Sequence, residues 1–310
     1  MGESKHQIQV IDLQAFIEGN SRERLSIAKQ VEVACQTLGF LYLKNAPISP
    51  VLVNQMFVES QGFFAQPLVQ KNQISWESES CNFGYVGYKR ERLNETQPGD
   101  LKEALNITPA QKKVFKKIAK TTTNPFLNSL LALEQVCGEM ALVMCQLFAL
   151  ALKLPENFFI EPHNEQNNTL RLLHYPPLTT LPQPGQLRAG EHSDYGSFTL
   201  LFSDGIEGLE IQTLAGDWMS VPQQTDAILV NIGDLMERWT NKKFRSTRHR
   251  VTIPSEPFLQ QSRYSMAYFC HPNDEVLIDC IESCISEKNP PQYQPILAAA
   301  YLMERLQATY

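Results

Sequence analysis

Apolar positions along the chain follow two periods. In the first half they recur every three to four residues, as in "ERLSIAKQVEVACQTLG" (23–39) and "PVLVNQMFVESQGFFA" (50–65). That spacing puts one apolar stripe on a helix. A glycine stop closes the first of these helices, and Pro50 fits the first turn of the second. "IQVIDL" (8–13) and "FLYLKN" (40–45) read instead as short strands. "NPFLNSLLALEQVCGEMALVMCQLFALALKL" (124–154) is apolar around nearly its whole circumference. Such a helix belongs under other layers, as the backing of a sheet.

After Pro155 the period shortens to two. "TLRLLHY", "SFTLLFS", "GLEIQT", "DWMSVP", "AILVNIG", "RHRVTI" and "RYSMAYF" follow one another, separated by Gly, Pro, Asn and Asp. Many short, regularly punctuated strands predict a β-sandwich or barrel. A final helix is expected over 295–310. With no internal repeat and no long linker, the expected organisation is one α+β domain over 1–310. It has a helix-rich part at 1–160 and a β core at 165–275.

At 310 residues and 43% hydrophobic content the chain can bury a large core. Its net charge of −6 argues against a nucleic-acid or anionic-membrane binder. Five lysines crowd "QKKVFKKIAK" (111–120), which is expected to be a solvated helix face. Seven cysteines without a CxxC pair imply neither a disulfide framework nor a zinc knuckle. The opening "MGESKHQIQV" has no apolar core of a signal peptide, and His6 breaks the myristoylation pattern. "MALVMCQLFALAL" (140–152) is too short to span a bilayer and contains Gln146. A reducing, cytoplasmic location is therefore expected.

The chemistry is carried by few residues. Of six histidines, two have a carboxylate two positions on: His163 with Glu165, and His192 with Asp194. The first pair lies in the polar "EPHNEQNN" and is expected in a solvated loop. The second opens the strand-like "HSDYGSFTLLF". On a strand, residues i and i+2 share a face about 6.5–7 Å apart. An imidazole and a carboxylate there can converge on one ion. In "RSTRHRVTI" the alternation aims His249 opposite to Arg248 and Arg250, so the ring faces inward if the arginines face solvent. Two histidines and one carboxylate, with three coordination positions open, is the facial arrangement of non-haem Fe(II) oxygenases.

In "RYSMAYFCH" (263–271), Arg263, Ser265, Ala267, Phe269 and His271 share one strand face. A guanidinium inside a barrel is costly unless an anion meets it. That anion is either an acid of the fold itself or the carboxylate of a ligand, gripped by Arg263 and Ser265.

In this order the HxD, the distant His and the RxS resemble the iron(II)- and 2-oxoglutarate-dependent dioxygenases of the isopenicillin N synthase and plant flavonoid-oxygenase type. "IQVIDL", "LGFLYLKNAPI", "FFAQP" and "VNIGDLMERWTNKKFRSTRHRV" extend the likeness over nearly the whole chain. The resemblance implies a double-stranded β-helix, or jelly roll, with helices at both ends. It implies Fe(II) on His192, Asp194 and His249, and Arg263 with Ser265 on the distal carboxylate of 2-oxoglutarate. Tyr175 of "LLHYPP" fits the family tyrosine that joins them, although Leu173 and His174 replace the usual Asn and Tyr before it.

The implied reaction consumes 2-oxoglutarate and O2 and releases succinate and CO2. It hydroxylates, desaturates or cyclises a small organic substrate, with secondary metabolism as the expected setting. Phe269 and His271 continue the Arg263 face toward that substrate. Tyr85, Tyr88 and Lys102 lie in a segment (81–106) that resembles the family's cover over the opening. A monomer is expected. Two alternatives stay open: a same-family oxidase that does not use 2-oxoglutarate, and a cupin-like ligand-binding barrel with a closed four-ligand metal site.

Overall fold

A computed structural model describes residues 7–93, 97–121, 123–180, 182–254 and 258–309. Residues 1–6, with His6, and 94–96 of the expected cover segment lie outside the described residues.

The helical half opens with β1 (Gln9–Asp12), α1 (Leu13–Glu18), α2 (Ser21–Thr37), β2 (Phe40–Lys44), α3 (Pro50–Phe64) and the short α4 (Leu68–Lys71). It continues with β3 (Gly84–Val86), β4 (Glu103–Ile107), α5 (Pro109–Ile118) and α6 (Pro125–Ala151). The second half runs β5 (Thr169–Tyr175), β6 (Ala189–His192), β7 (Phe198–Ser203), β8 (Leu209–Gln212), β9 (Trp218–Ser220) and β10 (Ile228–Ile232). Then come α7 (Asp234–Trp239), β11 (His249–Val251), β12 (Arg263–Cys270), the two-residue pair β13 (Leu277–Ile278) and β14 (Ile296–Leu297), and α8 (Ala298–Thr309).

Among the described residues these strands form an eight-stranded sheet, β1-β2-β10-β7-β12-β5-β4-β3, and a four-stranded sheet, β6-β11-β8-β9. The twofold period decides what each face of the large sheet meets. Leu170, Leu172, Phe198, Leu200, Val230, Met266 and Tyr268 pack outward against α2, α3 and α6. Leu173, Tyr175, Leu229 and Ala267 pack inward against Ala189, Leu209, Ile211 and Val251 of the small sheet. The two sheets thus make the jelly roll.

The all-round apolarity of α6 has the expected cause. Phe148 meets Phe198 of β7 edge-on at 5.2 Å between ring centroids, while α2 and α3 cover its other sides. Pro125 stands in its first turn, and Asn124 caps it by accepting the Leu127 N–H at 3.2 Å. α6 is long and apolar enough to cross a membrane by length and composition, but much of it is buried against the sheet.

Three expectations are corrected. Segment 81–106 is not only a cover, because β3 and β4 extend the large sheet at its edge. Lys112 is not on a solvated face: its Nζ is buried and donates to Glu134 Oε1 and Asn168 O, both at 2.7 Å, while the other four lysines of that run are exposed. The last helix begins three residues later than 295, after β14.

Candidate functional site

His192 closes β6 rather than opening a strand, and Asp194 lies in the turn between β6 and β7. The HxD spacing therefore works through a strand end and a turn, not through one strand face. β11 is antiparallel to β6, and His249 stands directly opposite His192, with ring centroids 4.3 Å apart. Arg248 and Arg250 turn outward to Glu191 and Glu210, as the alternation predicts. The donor atoms of His192, Asp194 and His249 all lie within 4.8 Å of one another.

Both imidazoles are set in the same tautomer. His192 Nδ1 is 2.7 Å from Gly190 O and His249 Nδ1 is 3.1 Å from Thr247 O. A carbonyl only accepts, so each Nδ1 carries a proton, which leaves Nε2 as the nitrogen that can ligate a metal. Burial and the adjacent His249 push the His192 imidazole below its ordinary range. Burial works against charge on Asp194, yet His249, His192 and two hydrogen bonds hold its carboxyl below the ordinary carboxylate range. Two imidazole nitrogens beside a carboxylate suit Fe(II).

Those two hydrogen bonds fix the carboxylate. Asp194 Oδ2 accepts from Thr199 Oγ1 at 2.5 Å and Asn231 Nδ2 at 2.7 Å, leaving Oδ1 3.7 Å from His249 Nε2. Thr199 and Asn231 are themselves register partners on β7 and β10. The turn is also tied to the start of α7, where the Asp234 N–H donates to Asp194 O at 2.8 Å and the Gly233 N–H to Ser197 O at 2.9 Å. This approach requires glycines: a Cβ on Gly233 would stand 2.3 Å from Gly196 O.

The three residues face a chamber of about 510 Å³ between the sheets, the size of a small-molecule site. Arg263, Ser265 and Tyr175 line the same chamber. Arg263 is 1% exposed; its Nε donates to Ile206 O at 3.1 Å and its Nη1 reaches Ser265 Oγ at 3.4 Å. Its guanidinium lies 4.8 Å from the centroid of Tyr175, its register partner on β5. No carboxylate among the described residues forms an ion pair with it, and Asp204, the acid that it acts on, accepts the backbone N–H groups of Ile206 and Tyr264 instead.

The weaker candidates divide. Phe269 and His271 line the chamber. Burial, with the nearby His163, pushes His271 down to about 4, so it is neutral there. Lys102 also lines the chamber, but its Nζ is committed to Asp100 at 2.5 Å and Glu91 at 3.0 Å. Tyr85 is corrected: it faces the helical side of the sheet, beside Phe63, and donates to Glu103. Tyr88 is corrected too, being exposed beneath Lys89 and absent from the chamber wall.

His163 is not in a solvated loop. Its ring is buried, with Nδ1 2.8 Å from Phe159 O and Nε2 2.9 Å from Ser197 Oγ.

Sequence reasoning missed Asn231, Thr199, the Glu91–Arg171 pair at 2.8 Å, and the α8 residues Leu302, Met303 and Leu306 on the wall. A signal existed for two of them, since Asn231 and Arg171 interrupt otherwise apolar strands.

A jelly roll with two histidines, one carboxylate and a buried arginine on one chamber defines a non-haem Fe(II) enzyme that takes an anionic co-substrate. The family described as the 2OG-Fe(II) oxygenase superfamily matches residues 166–272. The family described as non-haem dioxygenase in morphine synthesis N-terminal matches residues 8–125. A full-length Neurospora crassa protein, crystallised in complex with alpha-KG (2-oxoglutarate), is 32% identical with a TM-score of 0.88. The match covers 99% of this chain and 98% of that one. The same protein in complex with alpha-KG and thymine gives the same identity and TM-score. Proline hydroxylase buaE of Petromyces alliaceus is 29% identical over 98% of this chain and all of its own.

The chain belongs to the 2OG-Fe(II) oxygenase superfamily. It is a non-haem dioxygenase that uses Fe(II), 2-oxoglutarate and O2 to oxidise a small substrate, with release of succinate and CO2. The two alternatives left open by the sequence, a 2-oxoglutarate-independent oxidase and a cupin-like binder, give way to this reading.

Proposed function

We propose that His192 Nε2, Asp194 Oδ1 and His249 Nε2 hold the iron, and that Arg263, Ser265 and Tyr175 receive the distal carboxylate of 2-oxoglutarate. The observation that carries this reading is the convergence of three donor atoms on the chamber that also holds a buried guanidinium in no ion pair among the described residues. Bound there, the iron supplies the oxidising chemistry that couples loss of CO2 from 2-oxoglutarate to attack on a substrate C–H bond. Arg263 sets the co-substrate's far end, and the Thr199 and Asn231 hydrogen bonds keep the Asp194 carboxylate turned one way. Phe269 and the α8 side chains keep water from the reacting end.

The substrate sits between an apolar wall (Phe269, Leu302, Met303, Leu306) and a polar one holding Glu91, Lys102 and Arg171. A small acceptor with both apolar and hydrogen-bonding parts fits these walls. His271 joins them as a neutral ring. The neighbour with thymine bound and the proline hydroxylase support small acceptors in general, and the morphine-synthesis family supports a role in secondary metabolism. We read the chain as one catalytic unit acting as a monomer, and the seven free cysteines support a reducing, cytoplasmic setting.

Two measurements follow. Purified protein with Fe(II), ascorbate and 2-oxoglutarate, screened against small metabolites, is expected to release succinate, faster when the right acceptor is present. No succinate with any acceptor would count against the proposal. Asn231→Ala is expected to weaken Fe(II) binding by about 10- to 100-fold, the usual cost of losing a partner of a metal-binding side chain. A metal titration with unchanged affinity would remove Asn231 from the site.

A further inference from the structure

Arg188 is as deeply buried as Arg263, at 0% and 1% exposure, and these are the two largest completely buried side chains of the described residues. It stands immediately before β6, the strand that ends at His192. Its Nη2 donates to Gln261 O at 3.1 Å, while Nε and Nη1 have no hydrogen-bond partner. Neither guanidinium is in an ion pair among the described residues.

Asp204 is the carboxyl group that acts on both cations, but its oxygens are occupied. Oδ1 accepts the Ile206 N–H at 3.1 Å and Oδ2 the Tyr264 N–H at 2.6 Å. Burial and the neighbouring Arg263 accordingly push Arg188 below the usual guanidinium range. Two like charges held out of water without an ion-paired acid are costly unless an anion joins them. Tyr175 lies close to both, with its ring 4.8 Å from Arg263, while Arg188 itself does not line the chamber.

We infer that Arg188 is a second cationic positioning residue of the co-substrate site, acting through Arg263 and Tyr175 to make that site select a dicarboxylate. The inference rests on the assignment of Arg263 to the distal carboxylate. Arg188 adds positive potential behind Arg263, and the charged far end of 2-oxoglutarate gains from it where an uncharged end does not.

The test compares two ligands on the Mn(II)-loaded protein by calorimetry without O2: 2-oxoglutarate, and 2-oxopentanoate, whose chelating end is the same and whose far end is uncharged. In Arg188→Met the 2-oxoglutarate affinity is expected to fall roughly tenfold or more while that for 2-oxopentanoate changes less than about twofold. The thermal midpoint of the ligand-free variant should hold or rise, since an unpaired buried charge is gone. Equal loss for both ligands, a large fall in the midpoint, or unchanged 2-oxoglutarate affinity would overturn the inference. Arg188→Lys keeps the charge and is expected to bind 2-oxoglutarate better than Arg188→Met. If Arg188→Met fails to fold, a Lys variant that loses affinity for both ligands equally overturns the inference, and one that keeps the wild-type preference supports it. Should the wild-type protein itself not prefer 2-oxoglutarate over 2-oxopentanoate, the Arg263 assignment fails first.

Discussion

His249→Ala is expected to leave a folded protein that neither retains Fe(II) nor releases succinate, with turnover down by at least about a thousandfold. Losing a partner of a metal-binding residue costs about 10- to 100-fold, and losing a ligand of three costs more. The fold should survive, because His249 contributes one ring to the chamber side of β11, where Phe40 meets it edge-on at 5.7 Å. Circular dichroism, iron content and succinate release together check this. Retained activity would pass the ligand role to another histidine. His271 is the one to examine, since it lines the same chamber. His174 faces the opposite side of the sheet, with Nδ1 2.7 Å from Glu103 Oε1 and its ring stacked on Tyr264.

Arg263→Ala is expected to weaken 2-oxoglutarate binding by about 2–5 kcal/mol, because a carboxylate taken out of water loses its counter-charge. This corresponds to roughly 30-fold to several-thousandfold in affinity. The loss should fall mainly on the KM for 2-oxoglutarate, with iron binding unchanged, since Arg263 does not touch the three donor residues. An unchanged KM would mean that the distal carboxylate is held elsewhere. The Arg188 variants separate the two cations: Arg263 is expected to matter by contact, Arg188 by field.

Much of this site was legible because its chemistry breaks the surrounding pattern. In β12 the period of two puts Arg263 and Ser265 on one face and Met266, Tyr268 and Cys270 on the other, and the structure keeps that division. In β11 the flanking arginines aimed His249 inward. The HxD pair was visible, but its local geometry was not. β6 is four residues long and begins at Ala189 and Gly190, with no alternation to mark it, so His192 looked like the start of β7's strand rather than the end of another.

β3 and β4 were hidden for a related reason. Glu103 and Asn106 break β4's apolar run, because Glu103 satisfies Lys71 at 2.7 Å and Asn106 reaches Asn82 at 3.1 Å across the sheet edge. A polar residue with a distant partner is indistinguishable in sequence from a solvated one. The same ambiguity concealed the burial of His163 and Lys112.

The substrate wall was the least legible part. Leu302, Met303 and Leu306 come from a helix far beyond the metal triad in sequence, and apolar helix positions read alike whether they face a core or a chamber. Arg188 carried no periodic signal at all, since it precedes its strand.

The decisive question is where the iron goes. Anomalous diffraction from crystals of the Mn(II)-loaded protein with 2-oxoglutarate is expected to show one peak about 2.0–2.2 Å from His192 Nε2, His249 Nε2 and an Asp194 oxygen. The far carboxylate of the co-substrate should rest on Arg263. A metal peak away from these three side chains, or a co-substrate that leaves Arg263 untouched, would contradict it.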